Sequence, residues 1–184
     1  MTTPRKRVLL FGTTGTAGRA VAAALLEAGH EVVAMVRPGA TIEHLPARLD
    51  IRHGHLEDSV ALRRDGFDGG PYDAVISCIA SRTGLPVDAW AIDHAANSTI
   101  LAAAQDYGVP QMILLSAICV QRPFLEFQRA KLAFESELIA SGLTYSIVRP
   151  TAFFKSLSGQ IARVQNNKPY LVFDDGRQTA ARPI

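Results

Sequence analysis

The chain is poor in cysteine, with only Cys78 and Cys119 among its 184 residues. Two thiols cannot make a disulfide framework. Each lies in an apolar run near the end of an expected strand, so both read as buried, reduced side chains rather than nucleophiles. No apolar run reaches the ~18–20 residues of a membrane span, and the first residues lack the apolar stretch of a signal peptide. The expectation is a soluble, intracellular protein. Charge of one sign is also lacking, the formal balance being only +2. Arg5, Lys6 and Arg7 stand together before a strand and read as a solvated start, not as a nucleic-acid site. His53 and His55 alternate along a strand, but no further His or Cys follows at metal-ligand spacing, so no metal is expected. Internal repeats and low-complexity segments are missing as well.

What is present is an ordinary globular composition, 48% hydrophobic and 20% charged, in a length suited to one domain. Val8–Phe11 is a short apolar run closed by Gly12, and Arg19–Ala28 is an alanine- and leucine-rich helix closed by Gly29. Further strands are expected at Glu31–Val36, Leu49–His53, Ala74–Ile79, Gln111–Leu115 and Thr144–Val148, bounded by Gly, Pro or Asp. Helices are expected over Asp88–Tyr107 and Leu125–Ser141. Regular alternation of helices with near-continuous apolar strands, the third the weakest, implies a parallel sheet buried on both faces, the doubly wound α/β Rossmann fold. Residues 1–150 form that domain. After Pro150 the pattern loosens into a helix over Ser158–Asn166, a brief strand at Tyr170–Phe173 and a turn at Asp174-Asp175-Gly176. The 151–184 part is too small for a core of its own and reads as the incomplete beginning of a substrate-binding region, in a truncated chain.

Gly12-Thr13-Thr14-Gly15-Thr16-Ala17-Gly18 sits directly after a strand and opens a helix. The first glycine permits the tight turn, the second lets the backbone approach a pyrophosphate, and the third allows close packing. The helix N-terminus then offers free N–H groups and a positive dipole end. Arg37 closes the second strand, where an NAD site would carry an acid for the ribose hydroxyls. A guanidinium instead matches a 2′-phosphate in charge and bidentate geometry, so the expected cofactor is NADPH/NADP. Asp58 either accepts from the adenine amino group or caps the next helix. Cys78-Ile79-Ala80-Ser81 and Ser116 end the fourth and fifth strands, on the edge where ligands sit, and are expected to line the cofactor channel.

Phe127-Gln128-Arg129-Ala130-Lys131 resembles the Tyr-x-x-x-Lys pair of short-chain dehydrogenases, with phenylalanine at the tyrosine position. A spacing of four puts both side chains on one helix face. Lys131 therefore either holds the nicotinamide ribose or is a solvated helix lysine.

These residues resemble the atypical short-chain dehydrogenases related to isoflavone reductase and the NmrA-like proteins. The runs Phe124–Lys131, Arg149–Gln160 and Asn167–Tyr170 resemble in particular the branch that reduces the 8-vinyl group of divinyl chlorophyllides, a likeness running from about Arg7 to Ile184. That branch implies an NADPH-dependent enzyme of chlorophyll or bacteriochlorophyll synthesis, with a small-molecule tetrapyrrole as substrate. It is cytoplasmic, or stromal in a photosynthetic eukaryote, and peripheral to the membrane at most. It also implies a longer protein and no need of the tyrosine. A vinyl group conjugated to the macrocycle accepts hydride at its outer carbon, so no alkoxide awaits a phenolic proton. On this resemblance Lys131 is the catalytic residue, and Arg149, Pro150 and Thr151 flank the nicotinamide. Phe153 and Phe154 either offer apolar surface to the flat ring or belong to the core. Two other readings stay open: an NADPH reductase of another conjugated or phenolic substrate, and a non-catalytic NADP-binding regulator of the NmrA kind.

Overall fold

The computed structural model describes residues 4–170. Six strands form one sheet: β1 (Arg7–Phe11), β2 (Glu31–Val36), β3 (Asp50–His53), β4 (Ala74–Ser77), β5 (Gln111–Leu115) and β6 (Thr144–Val148). Every neighbouring pair is parallel, in the order β3-β2-β1-β4-β5-β6. The order reverses between β1 and β4, and at such a switch point the connections leave in opposite directions and open a crevice at the strands' carboxyl ends.

The four inner strands are largely apolar because their side chains alternate between two buried faces, whereas the edge strands β3 and β6 are mixed in sequence and partly exposed, so the sheet is not buried throughout. From β1, Leu9 and Phe11 join Val33, Met35, Val75, Met112 and Leu114 on one face, beneath Ile100, Leu101, Phe134 and Leu138. Val8 and Leu10 join Val32, Ala34, Val36 and Ile76 on the other, against Ala22 and Leu26. Ala22 and Leu26 lie on α1 (Thr16–Glu27).

The helix expected to start at Asp88 begins at Pro86. It runs as α3 (Pro86–Ala89), a π-helical stretch over Trp90–Ala96, and α4 (Asn97–Asp106). A short α2 (Ser59–Leu62) also passes into a π turn, Arg63–Phe67. α5 (Glu126–Ala140) packs Ala130, Phe134 and Leu138 inward.

Three readings of the sequence change. Cys78 is half-buried and Cys119 exposed; Cys119 has φ of 66°, and of its apolar neighbours only Val120 turns into the core. Arg7 is not a solvated end: its guanidinium bonds Glu31 and the Gly69 carbonyl. The helix after Pro150, α6, spans Phe154–Gln165, starting four residues earlier than its glycine and serines suggested.

The chain divides into two compact units, the second beginning at Arg149. Within that second unit, Phe154, Ile161, Val164 and Tyr170 line an open apolar groove. The turn at Asp174-Asp175-Gly176 and the strand expected from Tyr170 lie outside the described residues, apart from Tyr170 itself, which is in no strand. Among the described residues no helix is long and apolar enough to cross a membrane.

Candidate nucleotide-binding site

The turn after β1 is built by what its glycines lack. Gly12 has φ of +82°, and a Cβ there would stand 2.6 Å from the carbonyl carbon and oxygen of Cys78. Only glycine satisfies both demands. A Cβ on Gly18 would fall on the carbonyl oxygen of Gly12, so the third glycine is what lets α1 lie against the turn. The Gly15 amide closes the turn by donating to the Gly12 carbonyl at 3.0 Å. Thr13 is buried and its hydroxyl donates to the Leu10 carbonyl at 3.3 Å. Thr14 and Ala17 are half-buried and Thr16 is exposed. Among the described residues no side chain caps α1, and its first turn holds no acid. First-turn amides and the positive dipole end thus remain for an anion.

The carboxyl end of β4 continues this edge. Ser77 and Ile79 are buried, Cys78 and Ser81 half-buried, and Ala80 exposed. Burial pushes the Cys78 thiol up to about 11, with nearby Lys131 opposing the shift. A neutral thiol follows at physiological pH, and so does a location for the ammonium group: beside the end of β4.

Lys131 is buried, which removes the solvated alternative. Its Nζ lies 2.9 Å from Asp93 Oδ1, the two side chains being 7% and 0% exposed. Asp93 Oδ2 accepts from the Ser81 hydroxyl at 2.6 Å, and both carboxylate oxygens lie 3.4 Å from the Ser81 amide. Asn97, also buried, accepts from the Ser77 hydroxyl at 2.6 Å. Its amide donates to the backbone carbonyls of Ile92 and Asp93. β4, the π-helical stretch and α5 thus meet in polar contacts inside an apolar core.

Asp93 and Asn97 were missed in the sequence. The available signal was a pair of polar residues four apart on a face otherwise made of Ala89, Ala96 and Ile100, all three buried. Phe127 is half-buried on the same helix as Lys131. Ser116, at the end of β5, is 5% exposed. Its amide donates to the Val148 carbonyl at 2.7 Å, but its buried hydroxyl has no partner among the described residues. A buried hydroxyl without a partner is costly, and this one stands at the edge where a ligand group would satisfy it.

Other expected positions fall out separately. Arg37 directly follows β2 and is exposed. Asp58 caps α2, its Oδ1 accepting from the Val60 and Ala61 amides at 3.0 Å, so the capping alternative is realised. Arg149, exposed, and Pro150 and Thr151, half-buried, open the second unit. In that unit Phe153 is half-buried at the start of α6, and Phe154 is 64% exposed and no core residue.

A doubly wound parallel sheet with a three-glycine turn, uncapped amides and a buried lysine on one edge defines a protein that binds a nicotinamide dinucleotide. The chain belongs to the NAD(P)H-binding family, whose model matches residues 12–180. It is similar to the chloroplastic divinyl chlorophyllide a 8-vinyl-reductase of Oryza sativa subsp. indica, at 46% identity over 96% of this chain and 47% of the relative. The protein of the same name from Arabidopsis thaliana is 41% identical over 96% of this chain and 46% of its own length. The chain therefore spans about half the length of the curated relatives it matches. Among solved structures, UDP-glucose 4-epimerase of Thermotoga maritima superposes with a TM-score of 0.82 over 92% of this chain and 66% of the epimerase, at 18% identity. At that identity the likeness shows the fold.

Proposed function

We propose that this chain is the nucleotide-binding portion of an NADPH-dependent reductase that converts the 8-vinyl group of divinyl chlorophyllide or protochlorophyllide to ethyl. One observation carries the substrate: identity of 41% and above to plant 8-vinyl reductases across 96% of the chain. The site is compatible with that chemistry. When bound, the reduced nicotinamide supplies hydride to a conjugated carbon–carbon double bond. Hydride addition to such a bond leaves negative charge delocalised over the macrocycle, and a proton taken up from solvent then completes the ethyl group, so the reaction has no alkoxide that needs a phenol at position 127.

The chain's own residues then have separable tasks. Gly12, Gly15 and Gly18 keep side chains out of the diphosphate's way, and the first-turn amides of α1, from Thr16 to Gly18, bind it. Thr13, Thr14, Cys78, Ile79, Ala80 and Ser81 wall the channel, and Ser116 offers its free hydroxyl to the nicotinamide end. Lys131 binds the nicotinamide ribose. Asp58, with one oxygen committed to capping, keeps the other for the adenine amino group. Arg149, Pro150 and Thr151, assigned to the nicotinamide, and Phe153 and exposed Phe154, assigned to a flat ring, belong to the second unit, and their assignment rests on likeness to the reductases alone.

Arg37 selects the phosphorylated cofactor. It is exposed directly after β2, and its neighbours in sequence, Val36 and Pro38, bring no acid to engage ribose hydroxyls. The experiment pairs turnover with affinity. Protein carrying this chain, supplied with NADPH and divinyl chlorophyllide, is expected to shift the pigment's absorption to that of the monovinyl form. Absence of turnover at saturating NADPH would refute the substrate. Arg37→Ala should weaken NADPH by roughly 1–3 kcal/mol and leave NADH nearly unchanged, the size of one charge-assisted contact. Equal losses for both nucleotides would refute the preference for NADPH.

A further inference from the structure

We propose that Asp93 is a positioning residue for the cofactor: its buried carboxylate aims Lys131 and at the same time anchors the turn after β4 through Ser81. The proposal rests on the reading of Lys131 as the ribose-binding group and goes beyond it by naming what holds that group.

The argument begins with cost. Burying a carboxylate and an ammonium removes both from water, and a pair of apolar side chains of similar size serves stability equally well or better. On its own helix Lys131 has buried apolar neighbours in Ala130, Phe134 and Leu138, together with the buried carboxylate of Glu135 one turn on. A charged pair here needs another reason. Three elements meet at the Asp93 carboxylate: Lys131 from α5 at 2.9 Å, the Ser81 hydroxyl from the turn after β4 at 2.6 Å, and the π-helical stretch that carries Asp93 itself. Lysine has three N–H donors on a flexible stem. Committing one to a rigidly held carboxylate fixes the direction of the other two, and that orientation is set before any ligand arrives.

The π-helical stretch explains how the carboxylate is held. Local widening of a helix re-aims its side chains and recurs at functional sites. Here Asn97 fastens it, donating to the carbonyls of Ile92 and Asp93 while accepting from Ser77 on β4. Asp93 is thereby tied to the sheet edge through backbone and side chain alike. Because Ser81 and Lys131 share one carboxylate, the wall of the channel and the ribose-binding cation move as a unit.

The test compares Asp93→Asn, Lys131→Met and the double variant with the parent protein. NADPH affinity is read by fluorescence, and adenosine 2′,5′-bisphosphate, which lacks the nicotinamide ribose, serves as the control ligand. Asp93→Asn is expected to weaken NADPH about tenfold or more while changing the control ligand by less than about twofold, since one oriented charge-assisted contact is lost at the nicotinamide end alone. The double variant, which removes both charges of the pair, should bind NADPH within about twofold of Lys131→Met, because an amide oxygen at position 93 still accepts from the Ser81 hydroxyl and the contact that is lost runs through the lysine. That comparison decides the matter even where Asp93→Asn alone does not fold. If Asp93→Asn binds NADPH like the parent, or if the double variant is about tenfold weaker than Lys131→Met, the positioning role is overturned while the nucleotide site stands. If the parent binds neither ligand, the nucleotide reading fails and this proposal falls with it.

Discussion

The two ends of the same parallel sheet are held together in opposite ways. At the end where the strands begin, charged side chains pair across the surface. Arg5 and Arg7 bond Glu31, Lys6 bonds Asp73 at 3.1 Å, and the Arg7 guanidinium lies 4.8 Å from the centre of the Tyr72 ring. At the end where the strands finish, a cluster of polar side chains is buried instead: Ser77, Asp93, Asn97 and Lys131, with the Ser116 hydroxyl unpartnered among the described residues. The first end spends water-exposed charge on fastening β1 to its neighbours. The second keeps costly groups that contribute little to stability, beside a turn from which side chains are excluded. The division of labour follows: one end serves the fold and the other the ligand, and substitutions at each should separate stability from binding.

The largest effect is expected from Gly18→Ala. The new methyl would meet the backbone of Gly12 and Thr13, atoms that cannot swing aside as a flexible side chain does. Either α1 shifts or the turn opens, and both displace the amides meant for the diphosphate. Nucleotide affinity should fall more than about 100-fold, with stability lowered by about 2–4 kcal/mol, as for other strained backbone positions. Titration with NADPH and denaturant unfolding measure the two losses. An alanine variant that binds normally would mean that the close approach is not needed and would blur the contrast between the two ends.

Arg7→Ala probes the opposite end. Its guanidinium donates to Glu31 at 2.6 Å and to the Gly69 carbonyl at 2.7 Å, besides covering Tyr72. Exposed ion pairs count for little, but the stacked, half-buried stem adds packing. A loss of about 1–2 kcal/mol is expected, combining a cation–π contact with a partly screened pair. Affinity for NADPH should stay unchanged. A shared loss of affinity would show that the two ends are coupled through β1.

The same contrast marks what could be read from the residues beforehand. Strands β2, β5 and β6 begin and end where expected because Gly29, Pro110, Gly142 and Pro150 punctuate them; β2 and β5 are also largely apolar runs with one buried arrangement in such a sheet, whereas β6, at its edge, stays mostly exposed. The glycine turn was legible for a related reason: three positions that tolerate no side chain leave a spacing in the sequence itself. Lys131 was legible as a candidate from its spacing to Phe127, but its burial was not, since nothing at positions 127–131 shows the partner. That partner is Asp93, distant in sequence and set in a π-helical stretch whose shifted phase hides which residues face inward. Cys119 failed for a simpler reason. An apolar neighbourhood does not bury a residue held at positive φ on a turning loop.

The smallest expected effect belongs to Asp73, and its value lies in its sign. The Asp73 carboxylate accepts from the Arg7 amide at 2.8 Å and from the Lys6 ammonium. These contacts, the backbone one first, hold its pKa below the ordinary carboxylate value. A group depressed in the folded state stabilises at any pH above its unfolded value, and that contribution disappears as pH falls through the lower folded value. The window therefore opens near pH 4 and extends downward. Asp73→Asn keeps the shape but cannot titrate, so its stability should decline less steeply than the parent's between about pH 4 and the onset of acid unfolding. Near neutrality it should be slightly less stable, with NADPH affinity the same. Parallel acid profiles for the two proteins would show that Asp73 gains nothing from β1. A change in nucleotide affinity would show instead that charge at the fastening end reaches the binding end, and the separation between them would fail.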